Sequence, residues 1–255
     1  VRRRFGAAHL IGLVLAATLV LAAIPAVRAE TVSVAVAANF TDATRVLAKA
    51  FKAQTGDDLV PSFGATGSLY AQISQGAPFE VFLAADSATP ARAVAEGFGV
   101  KGSIFTYAVG RVVLFSADPQ RVTGAATLTG GKFDRIAIAN PRTAPYGAAA
   151  VAVMRKLGVY AALAPKFVTG TNISQAYQFV DTGNAELGFV ALSQVASRKG
   201  GSRWLVPQAD YPPITQDAVL LNPGRDSPGA RAFLDFLRSP EAVKIIESFG
   251  YGIGE

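Results

Sequence analysis

The sequence predicts an α/β protein built as two lobes, and three observations predict it. Strand-like and helix-like stretches alternate from residue 31 to about residue 95, the pattern of a parallel sheet covered by helices on both faces. A second alternating run begins at "GRVVLFSA" (110–117), and an extended stretch, "YPPITQDAVLL" (211–221), leads back from it. No low-complexity tract, long charge run or Gly/Ser linker separates the two runs. The lobes are therefore expected at 30–110 plus 217–255 and at 111–216, with the chain crossing between them at least twice.

Residues 1–29 read as an export signal. Arg2, Arg3 and Arg4 form a basic head, an apolar run extends from Leu10 to Ile24, and Val27 and Ala29 supply small residues at −3 and −1 of a cleavage site. The apolar run is short of the roughly 20 residues that a membrane span uses, so cleavage after Ala29 is expected, with Glu30 starting the mature chain. "TVSVAVAA" (31–38) alternates and is β-branched, hence a strand. Phe40, Ala43, Val46, Leu47, Ala50 and Phe51 then recur at helical spacing until Gly56 stops the run. "DDLVPSF" is a strand that Pro61 places near an edge or an end. A helix to about Gln75 follows, then the strand "EVFLAA" (80–85) and a helix opened by Thr89 as N-cap and Pro90 as first residue. In the second run, "RIAIAN" (135–140) and "LGFVAL" (187–192) are strands, with helices from about Tyr146 to Leu157 and from Ser174 to Asp181. Helices at 227–238 and 240–248 close the chain, the second begun by Ser239-Pro240.

Composition excludes several functions. Arg2, Arg3, Arg4 and Arg28 leave with the signal and no acid does, so the mature chain keeps 20 basic and 18 acidic residues, a net charge of +2. That is too weak to suggest nucleic acid or an anionic membrane as partner. His9, the only histidine, lies in the signal, and there is no cysteine. Disulfides, thiolate or imidazole metal sites and His- or Cys-based catalysis are excluded from the mature protein.

Four strand-to-helix junctions share one character: "AANFTDA" (37–43), "SFGATGS" (62–68), "ANPRTAPYGA" (139–148) and "TGTNISQA" (169–176). Each passes through small, hydroxyl or amide residues. In open α/β sheets ligands gather at the C-terminal ends of strands, where helix N-termini point. A helix N-terminus offers unpaired N–H groups and a partial positive charge, so several together hold an anion without Lys or Arg. The same residue types also serve as ordinary N-caps. Spacing leaves both readings open and does not identify the anion.

"VAVAANFTDA", "SFGATGSLYAQISQGAPFEVFLAAD", "NPRTAPYG", "AELGFVAL" and the closing "SPEAVKIIESFGY" together resemble the periplasmic molybdate-binding proteins of ABC importers, from about Thr31 to the C-terminus. The resemblance implies the type II periplasmic-binding fold, two α/β lobes with an oxyanion in the cleft. It implies a soluble, monomeric mature protein without catalysis or cofactor. Its ligand would be molybdate or tungstate, the metal held only as the oxyanion, and its partners a membrane permease and the ATPase. Carried over by motif, the ligand positions fall on Asn39 with Ala38 beside it, Thr66, Tyr146 and Ile173. Asn39 and Thr66 would each offer a side-chain donor and a backbone N–H, and Tyr146 and Ile173 mainly backbone N–H groups. One branch of the family carries a ligand-touching Tyr where this chain has Ala191. Tyr146 then has two open roles, supplying that hydroxyl from the other side or only its N–H.

Other ligands of the same fold stay in view. Phosphate carries a proton at neutral pH and calls for a carboxylate, and only Asp42 lies within the four junctions. Ferric sites commonly use paired tyrosines with a His. Sulfate differs from molybdate chiefly in size. A secreted Ser/Lys hydrolase would need G-x-S-x-G or S-x-x-K in context, and neither is present. Asp86 reads as a helix cap or hinge contact, Trp204 and Tyr211 as packing, and Lys199 with Arg203 as a solvated pair.

Overall fold

Ten strands form two five-stranded sheets in a computed structural model that describes residues 29–254. The signal read at 1–29 lies outside the described residues, apart from Ala29. The strands are β1 (Thr31–Ala37), β2 (Asp58–Gly64), β3 (Val81–Leu83), β4 (Phe105–Gly110), β5 (Val112–Ser116), β6 (Ile136–Ala139), β7 (Phe167–Gly170), β8 (Leu187–Ala191), β9 (Ser202–Leu205) and β10 (Ile214–Leu220). The first sheet runs β2-β1-β3-β10-β4 and the second β7-β6-β8-β5-β9. Around them lie α1 (Thr41–Thr55), α2 (Thr66–Ser74), α3 (Ala88–Ala95), α4 (Ala125–Gly130), α5 (Pro145–Lys156), α6 (Tyr160–Leu163), α7 (Ile173–Asp181), α8 (Leu192–Val195), α9 (Pro228–Leu237) and α10 (Pro240–Ser248).

The expected two-lobe α/β architecture is present, with two corrections. Neither sheet is wholly parallel: β10 is antiparallel to β3 and β4, and β5 to β8 and β9. The reason lies in the crossings. Only Arg111 separates β4 from β5, so the chain runs straight from one sheet into the other instead of returning over a helix, the connection that keeps neighbours parallel. The stretch 211–221, read as a connection, supplies the inner strand β10. Its first residues Ile214, Thr215 and Gln216 pair with Gly110, Val109 and Ala108, so they belong to the first sheet rather than to the second lobe as expected.

Local signals account for most elements. Phe40, Ala43, Leu47 and Phe51 are buried along one side of the first helical segment, and Gly56 ends it with φ of 83°, a left-handed C-cap that glycine adopts without a Cβ clash. Val46, counted with that face, is 42% exposed. Phe51 packs edge-on against Phe233 of α9 at 5.4 Å, and burying such a ring contributes about 1.5–3 kcal/mol. Ser227 and Ser239 cap α9 and α10, accepting N–H bonds from Ala230 and Ala242. At α3 the expected cap is displaced. The helix starts at Ala88, and Asp86 Oδ1 accepts the Thr89 N–H at 2.7 Å, so Asp86 rather than Thr89 satisfies the first turn.

Two buried clusters line the faces of the first sheet, one against α1, α9 and α10 and one against α2 and α3. The core of the second lobe extends across the divide to Ala37, Ala38, Ala65 and Ala85. These four alanines are strand ends and helix starts of the first lobe, so the lobes meet over small side chains and let backbones approach.

Candidate functional site

The four junctions singled out in the sequence converge on one small cavity between the lobes. From the first lobe it is lined by Ala37, Ala38, Asn39, Gly64, Ala65, Thr66 and Ala85, and from the second by Ala144, Pro145, Tyr146, Asn172 and Ile173. All five residues assigned by resemblance, Ala38, Asn39, Thr66, Tyr146 and Ile173, are thereby brought together. The centre of a water-sized sphere has only about 10 Å³ to move in, the scale of one small solute rather than of an organic ligand. No lining residue carries a formal charge.

Three of the four helix starts at the cavity lack a side-chain cap. The residues preceding the 3-10 turn Ala38–Phe40, α2 and α5 are Ala37, Ala65 and Ala144, and none caps its helix with a side chain. Alanine is among the poorest N-caps, worse than Ser or Asn by about 0.5–2 kcal/mol. Of the four junctions only that of α7 has a side-chain cap, Asn172 Oδ1 accepting the Gln175 N–H at 3.1 Å. Hydroxyls and amides at the other junctions are therefore not caps. The first N–H groups of a helix find no acceptor within it, which leaves those of Ala38 and Asn39, of Thr66 and of Ile173 directed outward. In α5 Pro145 has no N–H and the Gly147 N–H returns to Ala144 O at 2.9 Å, so Tyr146 carries the first free donor.

Side chains divide differently from the expectation. Thr66 Oγ1, 1% exposed, accepts the Ala85 N–H at 2.9 Å and keeps its own proton to donate. Asn39 does not offer its side chain. Its Nδ2 donates to Gln216 Oε1 at 2.8 Å and to Tyr251 Oη at 3.0 Å, so both amide hydrogens are used inside the first lobe and only the backbone N–H is left for the cavity. Tyr146 Oη lies 3.4 Å from Gln216 Nε2 and against Gly110, where a Cβ would come within 2.2 Å of it. That hydroxyl faces the crossings between the lobes. Ala191 is buried at the end of β8 and does not line the cavity.

A buried polar network therefore lies beneath the site, which sequence reading missed. Tyr107 Oη donates to Ala84 O at 2.9 Å and sits 3.1 Å from Gln216 Oε1, while Tyr251 Oη donates to Asn39 O at 2.7 Å. Burial pushes the phenols of Tyr107, Tyr146 and Tyr251 above the usual tyrosine value, and they stay neutral. Besides the Gln216–Tyr146 contact and a Tyr251 Oη bond to Ser193 Oγ at 3.0 Å, three hydrogen bonds to backbone carbonyls cross the divide beside the cavity. The Gly67 N–H donates to Thr143 O at 2.9 Å, Ser174 Oγ to Ala38 O at 3.1 Å and Ser193 Oγ to Asn39 O at 2.9 Å. These fix the first turn of one lobe through the other.

A wider groove of about 370 Å³ runs alongside, lined by Asp86, Thr89, Arg142, Pro212 and Pro213 among others. The helix start there is already satisfied by Asp86. Asp42 pairs with Arg45 at 2.9 Å on the exposed side of α1, away from the cavity. Arg203 does not stand with Lys199 as a solvated pair: it donates to the carbonyls of Val195 and Arg198. Trp204 packs half-buried on the second core, and Tyr211 Oη accepts the Val112 N–H at 3.1 Å. Among the described residues there is no cluster of acids able to hold a metal ion, and no helix is long and apolar enough to cross a membrane.

Two lobes closing over an uncharged cavity walled by helix N-termini define a solute-binding protein. The chain belongs to the family of bacterial extracellular solute-binding proteins, whose model matches residues 32–252. Within that family it is similar to molybdate-binding proteins. It is 54% identical over 229 residues to the molybdate-binding protein ModA of Rhodobacter capsulatus, covering 90% of each chain. To ModA of Azotobacter vinelandii it is 53% identical over 232 residues, 89% of this chain and 92% of the other. Among solved structures it resembles the Azotobacter vinelandii periplasmic molybdate-binding protein, with a TM-score of 0.85 and 39% identity over 88% of this chain and all of that one.

Proposed function

We propose that the protein binds molybdate outside the cytoplasm and delivers it to the permease and ATPase of an ABC importer. The observation that carries this reading is the ring of helix starts with alanine at the N-cap around a cavity without charged side chains. Donors that a cap would consume are left for the ligand. In this reading the N–H groups of Ala38, Asn39, Thr66, Tyr146 and Ile173 and the hydroxyl of Thr66 surround a tetrahedral dianion. Each helix N-terminus contributes a partial positive charge worth about 0.3–1 kcal/mol, up to ~2 where partly buried. Tungstate, of nearly the same size and charge, is bound as well.

The role requires no catalysis and no cofactor, since the anion is held and released unchanged. The mature protein acts as a soluble monomer in the periplasm after cleavage behind Ala29. The lobes are 30–110 with the chain from Ile214 onward, and 111 to about 213. The similarity to molybdate-binding relatives favours molybdate over sulfate, which the donor set alone does not reject.

A thermal-shift panel of oxyanions on the mature protein tests the reading. A ligand bound only by the folded state adds roughly 4 kcal/mol at a thousandfold excess over Kd. Molybdate and tungstate should raise Tm by several degrees and sulfate and phosphate much less. Equal shifts from all four would remove the molybdate assignment, and no shift from any would remove the binding function.

A further inference from the structure

We propose that cleavage of the Ala29–Glu30 bond creates an amino terminus that Asp57 captures as an ion pair. The inference rests on the cleavage position given above and on the way the fold grips Glu30. The Glu30 N–H donates to Asp57 Oδ1 at 2.8 Å, and its carbonyl accepts the Asp58 N–H at 2.8 Å. Its carboxylate Oε2 accepts the Gly229 N–H at 2.8 Å at the start of α9, with Ser227 Oγ at 3.4 Å. Ala29, one residue earlier, is exposed. The N–H, the carbonyl and one carboxylate oxygen of Glu30 are thus fastened to the fold, and the bond to be cut sits at the edge of that grip.

Asp57 and Asp58 are adjacent acids with different company. Asp58 is exposed and bridged by Lys52 at 2.7 Å. Asp57 is 8% exposed and, among the described residues, forms no ion pair with Lys or Arg. The Asp57 carboxylate is thus met by a single neutral N–H, on Oδ1, where a charged donor would bind it more strongly. Hydrolysis supplies one. Water adds across the peptide bond under a signal peptidase, leaving a carboxylate on Ala29 and an ammonium with three donors on Glu30. A neutral N–H bond of 2.8 Å becomes a charge-assisted one at the same place. Processing thereby finishes the anchoring of β1, the strand whose end forms the first wall of the cavity.

The test is a two-by-two comparison of exported, full-length mature protein with a form retaining Gly-Ser-Ala29 ahead of Glu30, each with Asp57 or with the Asp57→Asn substitution. Mass spectrometry of the exported protein first reads its terminal residue. A start other than Glu30 overturns both the cleavage reading and the capture. With the Glu30 start, the extension should lower Tm by about 2–4 °C when Asp57 is present and by under about 1 °C in the Asp57→Asn background. Equal losses in both backgrounds, or no loss in either, would overturn the capture while leaving the cleavage reading intact. As a second readout independent of stability, the α-amine of the mature form should acylate several-fold more slowly with Asp57 than in the Asp57→Asn variant. Equal rates would also overturn the capture.

Discussion

Replacing Thr66 by Val keeps the side-chain shape and removes only the hydroxyl, so its two bonds can be separated. The first is internal: Oγ1 accepts the Ala85 N–H at 2.9 Å, and both residues are buried, at 1% and 2% exposure. Losing it strands a buried donor, which costs about 1–3 kcal/mol and lowers the ligand-free Tm by about 2–12 °C in a protein of this size. The second is the bond proposed to the ligand, from the hydroxyl proton that the Ala85 contact leaves unused. A hydrogen bond to a charged group is worth about 1.5–3 kcal/mol, so molybdate affinity should fall about 10- to 160-fold. Calorimetric titration of Thr66→Val and Thr66→Ser at a temperature well below both melting transitions separates the effects. Serine keeps the hydroxyl and should stay within about threefold of the parent. A valine variant that loses stability but keeps its affinity would show that the hydroxyl serves Ala85 alone, and the site would then rest on backbone donors.

Asn39→Ala should act mainly through stability, because it leaves Gln216 and Tyr251 without their buried partner. A fall in Tm with less than about a tenfold change in Kd is expected, and the reverse pattern would return the amide to the cavity. Gly67→Ala places a Cβ 3.2 Å from Thr143 Cα across the divide, so the lobes close a few tenths of an ångström short. Molybdate should dissociate faster with the ligand-free Tm unchanged, which stopped-flow fluorescence can follow. Affinity should be flat within about threefold between roughly pH 6 and 8.5, since buried phenols stay neutral and the donors do not titrate. A steep slope in buffer-matched calorimetry would refute the neutral-donor pocket. Glu186 titrates lower than usual: burial opposes this, but the N–H groups of Asp134 and Arg135 at 3.0 and 2.8 Å outweigh it. A depressed folded pKa contributes stability above the unfolded value of about 4.3 that is lost as pH falls through the folded one. Glu186→Gln should therefore flatten the acid limb of Tm against pH, and an unchanged limb would remove that link.

Much of the architecture was legible because the deciding signals are local. The stop at Gly56 and the caps at Ser227 and Ser239 act within a few residues of where they are written. Strand direction is not local. Nothing in "ITQDAVL" says that it will insert antiparallel between β3 and β4, because its direction is set by the return from the other lobe. The same limit applied at the site. The positions of Ala38, Thr66 and Ile173 followed from motifs, but the amide of Asn39 is claimed by Gln216, 177 residues away in the chain. One further signal is written in the sequence only in part. Ala37, Ala65 and Ala144 stand where a helix often takes Ser, Thr or Asn, but Ala191 does the same ahead of α8 away from the cavity, so it is the convergence of three uncapped starts, a tertiary fact, that marks the site.

The cavity wall is shared between two sheets that neither lobe completes alone. Ala38, Asn39 and Thr66 stand on one bank, and Tyr146 and Ile173 on the other. A pocket held by a charged or titrating side chain makes the departure of its contents depend on salt and pH. Here the wall holds no formal charge, so emptying it needs only distance. On the proposed function, parting the banks would dismantle the site in a single movement, so a partner that docks on both lobes and draws them apart would release the anion with no wall side chain changing its charge.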